Sequence, residues 1–222
     1  MPSPLARLRL VQSGPEPPVS SVRPAAEPLP QLTDAQLVAL AAQSDMSAFE
    51  ALYRRHAAFA LNLAVRLQGN ANDVEDVVHD AFLRARARLS DLREPSAFRA
   101  WLGSIVVHLV RSRLRTRKLL RTLGLVSSGE PVDMDAIAST VAGPESRAML
   151  AQVYALLCTM PANDRIAWTL RYVERHRLEA VAELTSCSLA TAKRRISRAQ
   201  QFLSEHFVSH DPAALPVPEA VP

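Results

Sequence analysis

Proline is nearly missing from the middle of this chain. Of its 16 prolines, eight lie in residues 1–30 and four in residues 212–222, leaving Pro95, Pro131, Pro144 and Pro161 between them. A residue with fixed φ and no backbone N–H costs a helix interior about 3 kcal/mol. The two ends, residues 1–30 and 209–222, therefore read as disordered Pro-rich arms that bury too little apolar surface to offset the entropy of ordering. The middle is free to be helical.

Apolar spacing predicts that it is. Thr33 can cap a short helix carrying Leu37, Leu40 and Ala41. Ser47 can start a second, in which Phe49, Leu52, Tyr53, Phe59, Leu63 and Leu67 keep a helical period until Gly69 and Asn70 stop it. No stretch alternates as a strand would, so the expected fold class is all-α. The arrangement is two small helical domains, residues 31–121 and 146–208. Residues 122–145 lose the period and contain Gly124, Gly129, Pro131, Gly143 and Pro144, which reads as a flexible linker with a weakly acidic stretch, Glu130 to Asp135.

The third segment is acidic. Asn72 can begin a helix with Glu75 near the third position, close to a capping box, and Val74, Val77, Val78, Ala81, Phe82 and Ala85 form its apolar face. Asp73, Glu75, Asp76 and Asp80 place four negative charges in its first turns without one compensating cation. Carboxylates at a helix N-terminus gain about 0.3–1 kcal/mol each from the macrodipole, which is one explanation. An acidic patch meeting a basic partner is another. Asp76, His79 and Asp80 share a face at i, i+3 and i+4, but no second cluster supplies further ligands, so no metal is expected.

The next segment reverses the charge. Ser90 to Ser96 is a polar loop, Pro95 suits a first helical turn, and Phe98, Trp101, Leu102, Ile105 and Leu109 then fall on one side. Arg111, Arg113, Arg115, Arg117, Lys118 and Arg121 follow within eleven residues, with no acid among them. Such a run repels itself unless phosphates neutralise it. Phe98 reads as core. Trp101, beside a basic helix, can be core or a platform for an unpaired base.

In the second domain Met149, Leu150, Val153, Tyr154, Leu157 and Met160 open a helix, and Pro161 restarts the chain before Ile166, Trp168, Leu170 and Val173. Arg177 to Phe202 then parses as helix, turn and helix. Leu178, Val181, Ala182 and Leu184 give the first an apolar face; Ser188 can cap the second, with Leu189, Ala192, Ile196, Ala199 and Leu203 as its stripe. Lys193, Arg194, Arg195 and Arg198 lie mostly off that stripe. A helical hairpin with a solvated basic face fits the pattern, and so does a helix-turn-helix whose second helix enters a DNA major groove. A sequence pI near 9.6 suits a polyanionic partner.

Several function classes are excluded by what the sequence lacks. It has no glycine-rich phosphate loop, metal-ligand cluster or nucleophile–base motif, so neither an enzyme nor a bound cofactor is expected. Cys158 and Cys187 form no CxxC and read as reduced thiols. No apolar run approaches the roughly 20 residues of a membrane span, so no membrane insertion is expected. The N-terminal arginines precede no apolar core, which argues against a signal peptide and for the cytoplasm.

In this order the pieces are familiar. DVEDVVHDAFLRA (Asp73–Ala85) followed by FRAWLGSIVVHLVRSRLRTRK (Phe98–Lys118) strongly resembles the small, extracytoplasmic-function (ECF) sigma factors of bacterial RNA polymerase. MPANDRIAWTLRYVERHRLEAVAELTSCSLATAKRRISRAQ (Met160–Gln200) is similar to their C-terminal domain. The likeness covers about residues 33–207.

The resemblance implies a division of labour. Asp73, Glu75, Asp76 and Asp80 would dock on the β′ clamp of core polymerase, with the β flap as a further contact of the family. Trp101, His108, Arg111 and Arg115 would read and open the −10 promoter element, an extruded base being held beside Ser90–Ser96. Ser188, Thr191, Lys193, Arg194, Arg195 and Arg198 would hold the −35 element. The linker would run toward the active-site and RNA-exit channels, and an anti-sigma factor would hold the protein inactive. A self-sufficient dimeric helix-turn-helix regulator is the rival reading, but it has no need of the acidic helix.

Five positions depart from the family pattern. Gly103 and Ser104 stand where an aromatic and a basic residue are frequent, His108 where asparagine is common, and Ser112 where aspartate is common. Gly103 is expected to loosen its helix by about 0.5–1 kcal/mol relative to alanine. Thr185 takes a turn position usually held by glycine, and strain is expected if that position needs positive φ.

Overall fold

The computed structural model describes residues 31–69, 73–124 and 144–207. Among them are eight α-helices and no strand: α1 (Asp34–Ala42), α2 (Met46–Gln68), α3 (Val74–Ala87), α4 (Phe98–Thr122), α5 (Pro144–Thr159), α6 (Ala162–Trp168), α7 (Leu178–Leu184) and α8 (Leu189–His206). The all-α expectation holds. The Pro-rich arms and the stretch from Glu130 to Asp135 lie outside the described residues.

Local chemistry sets several helix ends. Thr33 and Gln36 form a reciprocal capping box on α1. Asp45, rather than Ser47, caps α2: its Oδ1 accepts from the backbone of Ser47 at 2.9 Å and Ala48 at 3.2 Å. Gly69 closes that helix in the left-handed region, at φ 73°. The expected capping box on α3 does not form. Its N-cap is Asp73, itself left-handed at φ 57° and making no side-chain cap bond, and Asn72 lies outside the described residues.

Helix α2 packs against α1, α3 and α4, while α8 packs against α5, α6 and α7. Leu37, Leu52, Leu67, Val77, Phe98 and Leu102 are fully buried in the first group. Each such side chain contributes roughly 1.5–3 kcal/mol on leaving water. Tyr53, expected on the core face, is 41% exposed and lies against the Phe82 ring at 4.5 Å between centroids. Helix α4 runs unbroken through Gly103, where an added Cβ would sit 3.4 Å from Phe59 and 3.7 Å from Leu63.

The two groups share a core. Ile166, Ala167, Leu170, Val181, Ala182, Ala192 and Ile196 belong to the same buried cluster as the apolar faces of α1 to α4. Val153, Leu157, Met160, Trp168, Ala199 and Leu203 form a second, smaller cluster. What lets one helix feed both is a π-turn, Thr169–Val173, that continues α6: the Glu174 amide reaches back five residues to the Thr169 carbonyl at 3.0 Å.

Candidate nucleic-acid interface

Helices α3 and α4 lie side by side, and this contact corrects the reading of the acidic segment. Its carboxylates do have cations beside them, supplied from α4. Arg113 pairs with Asp80 at 2.8 Å, and Arg117 pairs with Asp73. Arg113 also donates to the Asp73 carbonyl at 3.0 Å. Glu75 and Asp76 are exposed, as is His79. The basic run is therefore neutralised on the side facing α3, and Arg115 and Lys118 remain exposed.

Trp101 sits one turn into α4, half-buried, with its ring 6.2 Å from that of Phe98, which is fully buried as expected. The loop before it holds two short 3₁₀ turns, Leu89–Asp91 and Pro95–Ala97. Glu94 accepts from the Ser96 hydroxyl at 2.7 Å and from its backbone N–H at 3.4 Å, and these bonds hold the Glu94 carboxyl below the usual carboxylate range. Ser104 donates to the Trp101 carbonyl at 2.7 Å. His108 is exposed, and its Nδ1 lies 2.7 Å from the Ser104 carbonyl. That oxygen can only accept, so Nδ1 carries a proton, and in the neutral ring Nε2 is left as an acceptor.

In the second group Ser188 caps α8 as expected, accepting the Thr191 N–H at 3.2 Å, and the two hydroxyls lie 2.9 Å apart. Lys193 and Arg194 are exposed on the outer face of α8, and Leu189 is 40% exposed rather than buried. Arg198 is engaged with Asp164 of α6 at 2.8 Å. The strain expected at Thr185 is not there. Thr185 has φ −92° and the left-handed residue is the next one, Ser186, at φ 46°. Thr185 is buried and donates its hydroxyl to the Val181 carbonyl at 2.7 Å, closing the turn from inside.

Two expected DNA contacts meet at the junction of the groups. Arg111 of α4 donates to the Leu184 carbonyl at 2.9 Å and to the Ser186 hydroxyl at 3.0 Å, inside the turn of the helix-turn-helix. Burial, then the nearby charges of Arg115 and Arg195, push the Arg111 guanidinium below its usual pKa. Arg195 is half-buried, and its Nη1 is buried with no hydrogen-bond partner. Sequence reasoning missed the residues that hold the groups together. Arg165 donates to the carbonyls of Leu67 at 3.2 Å and Gln68 at 2.8 Å, and Arg66 pairs with Glu174 at 2.5 Å.

The family described as "Sigma-70 region 2" matches residues 52–119, and "Sigma-70, region 4" matches residues 150–203. The RNA polymerase sigma-H factor of Pseudomonas aeruginosa is 30% identical over 184 residues, covering 80% of this chain and 95% of its own length. The ECF RNA polymerase sigma-E factor of Haemophilus influenzae is 30% identical over 179 residues, 78% of this chain and 94% of its own. Among solved structures, CnrH in complex with the cytosolic domain of CnrY aligns with a TM-score of 0.50 at 28% identity, over 78% of this chain and 95% of that one. The sigma factor RpoE with the anti-sigma factor NepR from Bartonella quintana shares the fold, with a TM-score of 0.53 at 24% identity over 67% of this chain and 89% of that one.

Proposed function

This chain belongs to the extracytoplasmic-function sigma factors of bacterial RNA polymerase, and we propose how its surfaces share the work of starting transcription. It directs core polymerase to specific promoters. Residues 31–121 form the domain that docks on the polymerase clamp and reads the −10 element. Residues 146–208 form the −35 domain, and residues 122–145 link the two.

The observation that carries this reading is the sorting of charge on adjacent helices. Glu75 and Asp76 stand exposed on α3, while Arg115 and Lys118 stand exposed on α4. A basic protein surface favours the first pair, and phosphates favour the second. Trp101 lies between the base-holding loop and the basic run, where it can stack an unpaired base of an opened −10 element. His108 would add one acceptor on the same helix. Lys193 and Arg194 present the recognition helix to the upstream element, and Thr191 and Ser188 stand at its N-terminal end, where base edges are reached.

The polymerase supplies the covalent chemistry, and this chain supplies position and strand opening. Among the described residues no helix is long and apolar enough to cross a membrane. The reading places the protein in the cytoplasm with its polymerase, under an anti-sigma partner. Transcription from genomic fragments by core polymerase, with and without this protein, tests it. New start sites with shared upstream and −10 sequences are expected only when both are present. Tight binding of a palindrome by the protein alone, with no new start sites, would sink it.

A further inference from the structure

The segment that leads into α7 breaks two local rules within three residues. Among the described residues, four that are not glycine have positive φ. Ser44, Asp73 and Ser186 carry short polar side chains, and the fourth is Arg175, at φ 58°. The left-handed region crowds the Cβ of an L-residue, so glycine would hold this bend with less strain. Two residues on, Arg177 is the N-cap of α7, extended at φ −64° and ψ 155°, and makes no side-chain cap bond. Serine or aspartate would satisfy an orphan N–H at that position, whereas a cation opposes the helix macrodipole.

The bend is fixed from both sides. The Glu174 N–H donates to the Thr169 carbonyl at 3.0 Å and the His176 N–H to that of Leu170 at 2.9 Å. The Arg171 Nη1 donates to the His176 carbonyl at 3.1 Å. The Glu174 carboxylate, the nearest acid in sequence, is taken by Arg66. Arg175 and Arg177 both stand exposed, and neither side chain has an ion-pair or hydrogen-bond partner among the described residues. A left-handed residue with a side chain persists only where its surroundings over-determine it, and such positions gather at functional surfaces. Here one strained and one uncapped position present two unneutralised cations from the same loop.

The place of the loop decides what those cations meet. In a helix-turn-helix on DNA the first helix crosses the phosphate backbone while the second lies in the groove. The seven residues of α7 separate the loop from the turn before α8 by about 10 Å, at about 1.5 Å per residue. We propose that Arg175 and Arg177 form a phosphate grip ahead of α7, which binds the DNA backbone beside the upstream element at phosphates that α8 does not reach. The grip rests on the helix-turn-helix role given above to α7 and α8. It adds affinity without reading bases, because phosphate contacts carry no sequence information and each releases counterions.

Duplex binding by the full chain over a salt series, alone and with core polymerase, tests the grip. The two probes are a promoter fragment from the transcription assay and a random duplex of equal length. Arg175→Gly combined with Arg177→Ser is expected to weaken binding to both about tenfold and to lower the slope of log K against log salt by about two. The same pair of changes relieves the bend and supplies a cap, so the melting temperature of the free chain should rise. Binding lost while stability is gained is a result that a merely structural role for these arginines does not give. Arg175→Lys keeps the charge and is expected to keep the slope. An unchanged slope in the double variant would overturn the grip, and so would a loss confined to the promoter fragment, which would mean base reading. Weaker polymerase binding at an unchanged slope would also overturn it, by assigning both arginines to an acidic protein surface. A slope lowered by about two on the random duplex, with no new start sites in the transcription assay, would sink the promoter reading and leave the grip standing.

Discussion

Arg113 on α4 reaches the Asp80 carboxylate on α3 at 2.8 Å, so the acidic and basic helices of the first domain are tied to each other. The pair is part-exposed, which limits its worth to roughly 0.2–1 kcal/mol. It follows that the four acids are not equivalent. Asp76→Ala and Glu75→Ala remove exposed charges from the first turn of α3 and are expected to weaken core polymerase binding with stability lowered by no more than about 1 kcal/mol. Asp80→Ala frees Arg113 and is expected to lower the melting temperature as well. Surface plasmon resonance against core polymerase, paired with thermal melts, separates the two behaviours. Intact core binding in Asp76→Ala would show that α3 is not the docking helix.

The recognition helix divides in the same way. Arg194→Ala is expected to weaken DNA binding and to reduce the slope of log K against log salt by about one, with the fold untouched. Arg198→Ala leaves the buried Asp164 carboxylate without its 2.8 Å partner and is expected to cost about 1–3 kcal/mol of stability. Fluorescence anisotropy over a salt series, with urea melts of the same variants, checks both. If Arg198→Ala changed only the salt slope, its contact with Asp164 would carry no structural weight.

Gly103 is the one glycine inside α4, and its φ is negative. A Cβ added there would meet Phe59 at 3.4 Å and Leu63 at 3.7 Å, both ordinary contact distances. Gly103→Ala is therefore expected to stabilise the protein by about 0.5–1 kcal/mol through reduced backbone freedom. Gly103→Phe would force Phe59 and Leu63 aside and is expected to cost about 1–3 kcal/mol. Equilibrium denaturation measures both. A destabilised Gly103→Ala would mean that Phe59 cannot yield by a few tenths of an ångström.

His56 gives the protein an acid-sensitive point. It is 5% exposed, with Nε2 2.9 Å from Asp34 and its ring 5.3 Å from that of Phe98. Burial pushes its pKa below 6.5; Asp34 opposes this, and Arg55 and Arg99 add to it. The unfolded chain therefore binds the proton more readily than the folded one as pH falls past about 6.5. His56 contributes its full stability above that value and less below it. Melting temperatures from pH 7.5 to 5.5 should fall, and His56→Gln should flatten the slope. A slope unchanged by the substitution would assign it to other groups.

What the sequence made legible is local. Thr33, Gly69 and Ser188 sit at the helix ends their chemistry dictates, and Phe98 is buried where the period puts it. The acidic and basic segments were visible as charge, but their pairing joins positions 33 and 44 residues apart, which no period reports. Arg165 and Arg66 were invisible for the same reason, since their partners lie 97 to 108 residues away. Thr185 misled because a glycine-favouring turn was tied to a single position. The chain moves its left-handed residue to Ser186 and uses the Thr185 hydroxyl inside the turn.

The π-turn at Thr169–Val173 fixes the phase of everything after it. It sends Trp168 into the small cluster and Leu170 into the large one, with Tyr172 touching both. Removing one residue there would restore an ordinary helix and rotate each later side chain by about 100°, the angular step implied by 3.6 residues per turn. The recognition helix would then meet its neighbours with the wrong face. The residue count of these five positions therefore decides which face of α8 meets α6 and α7.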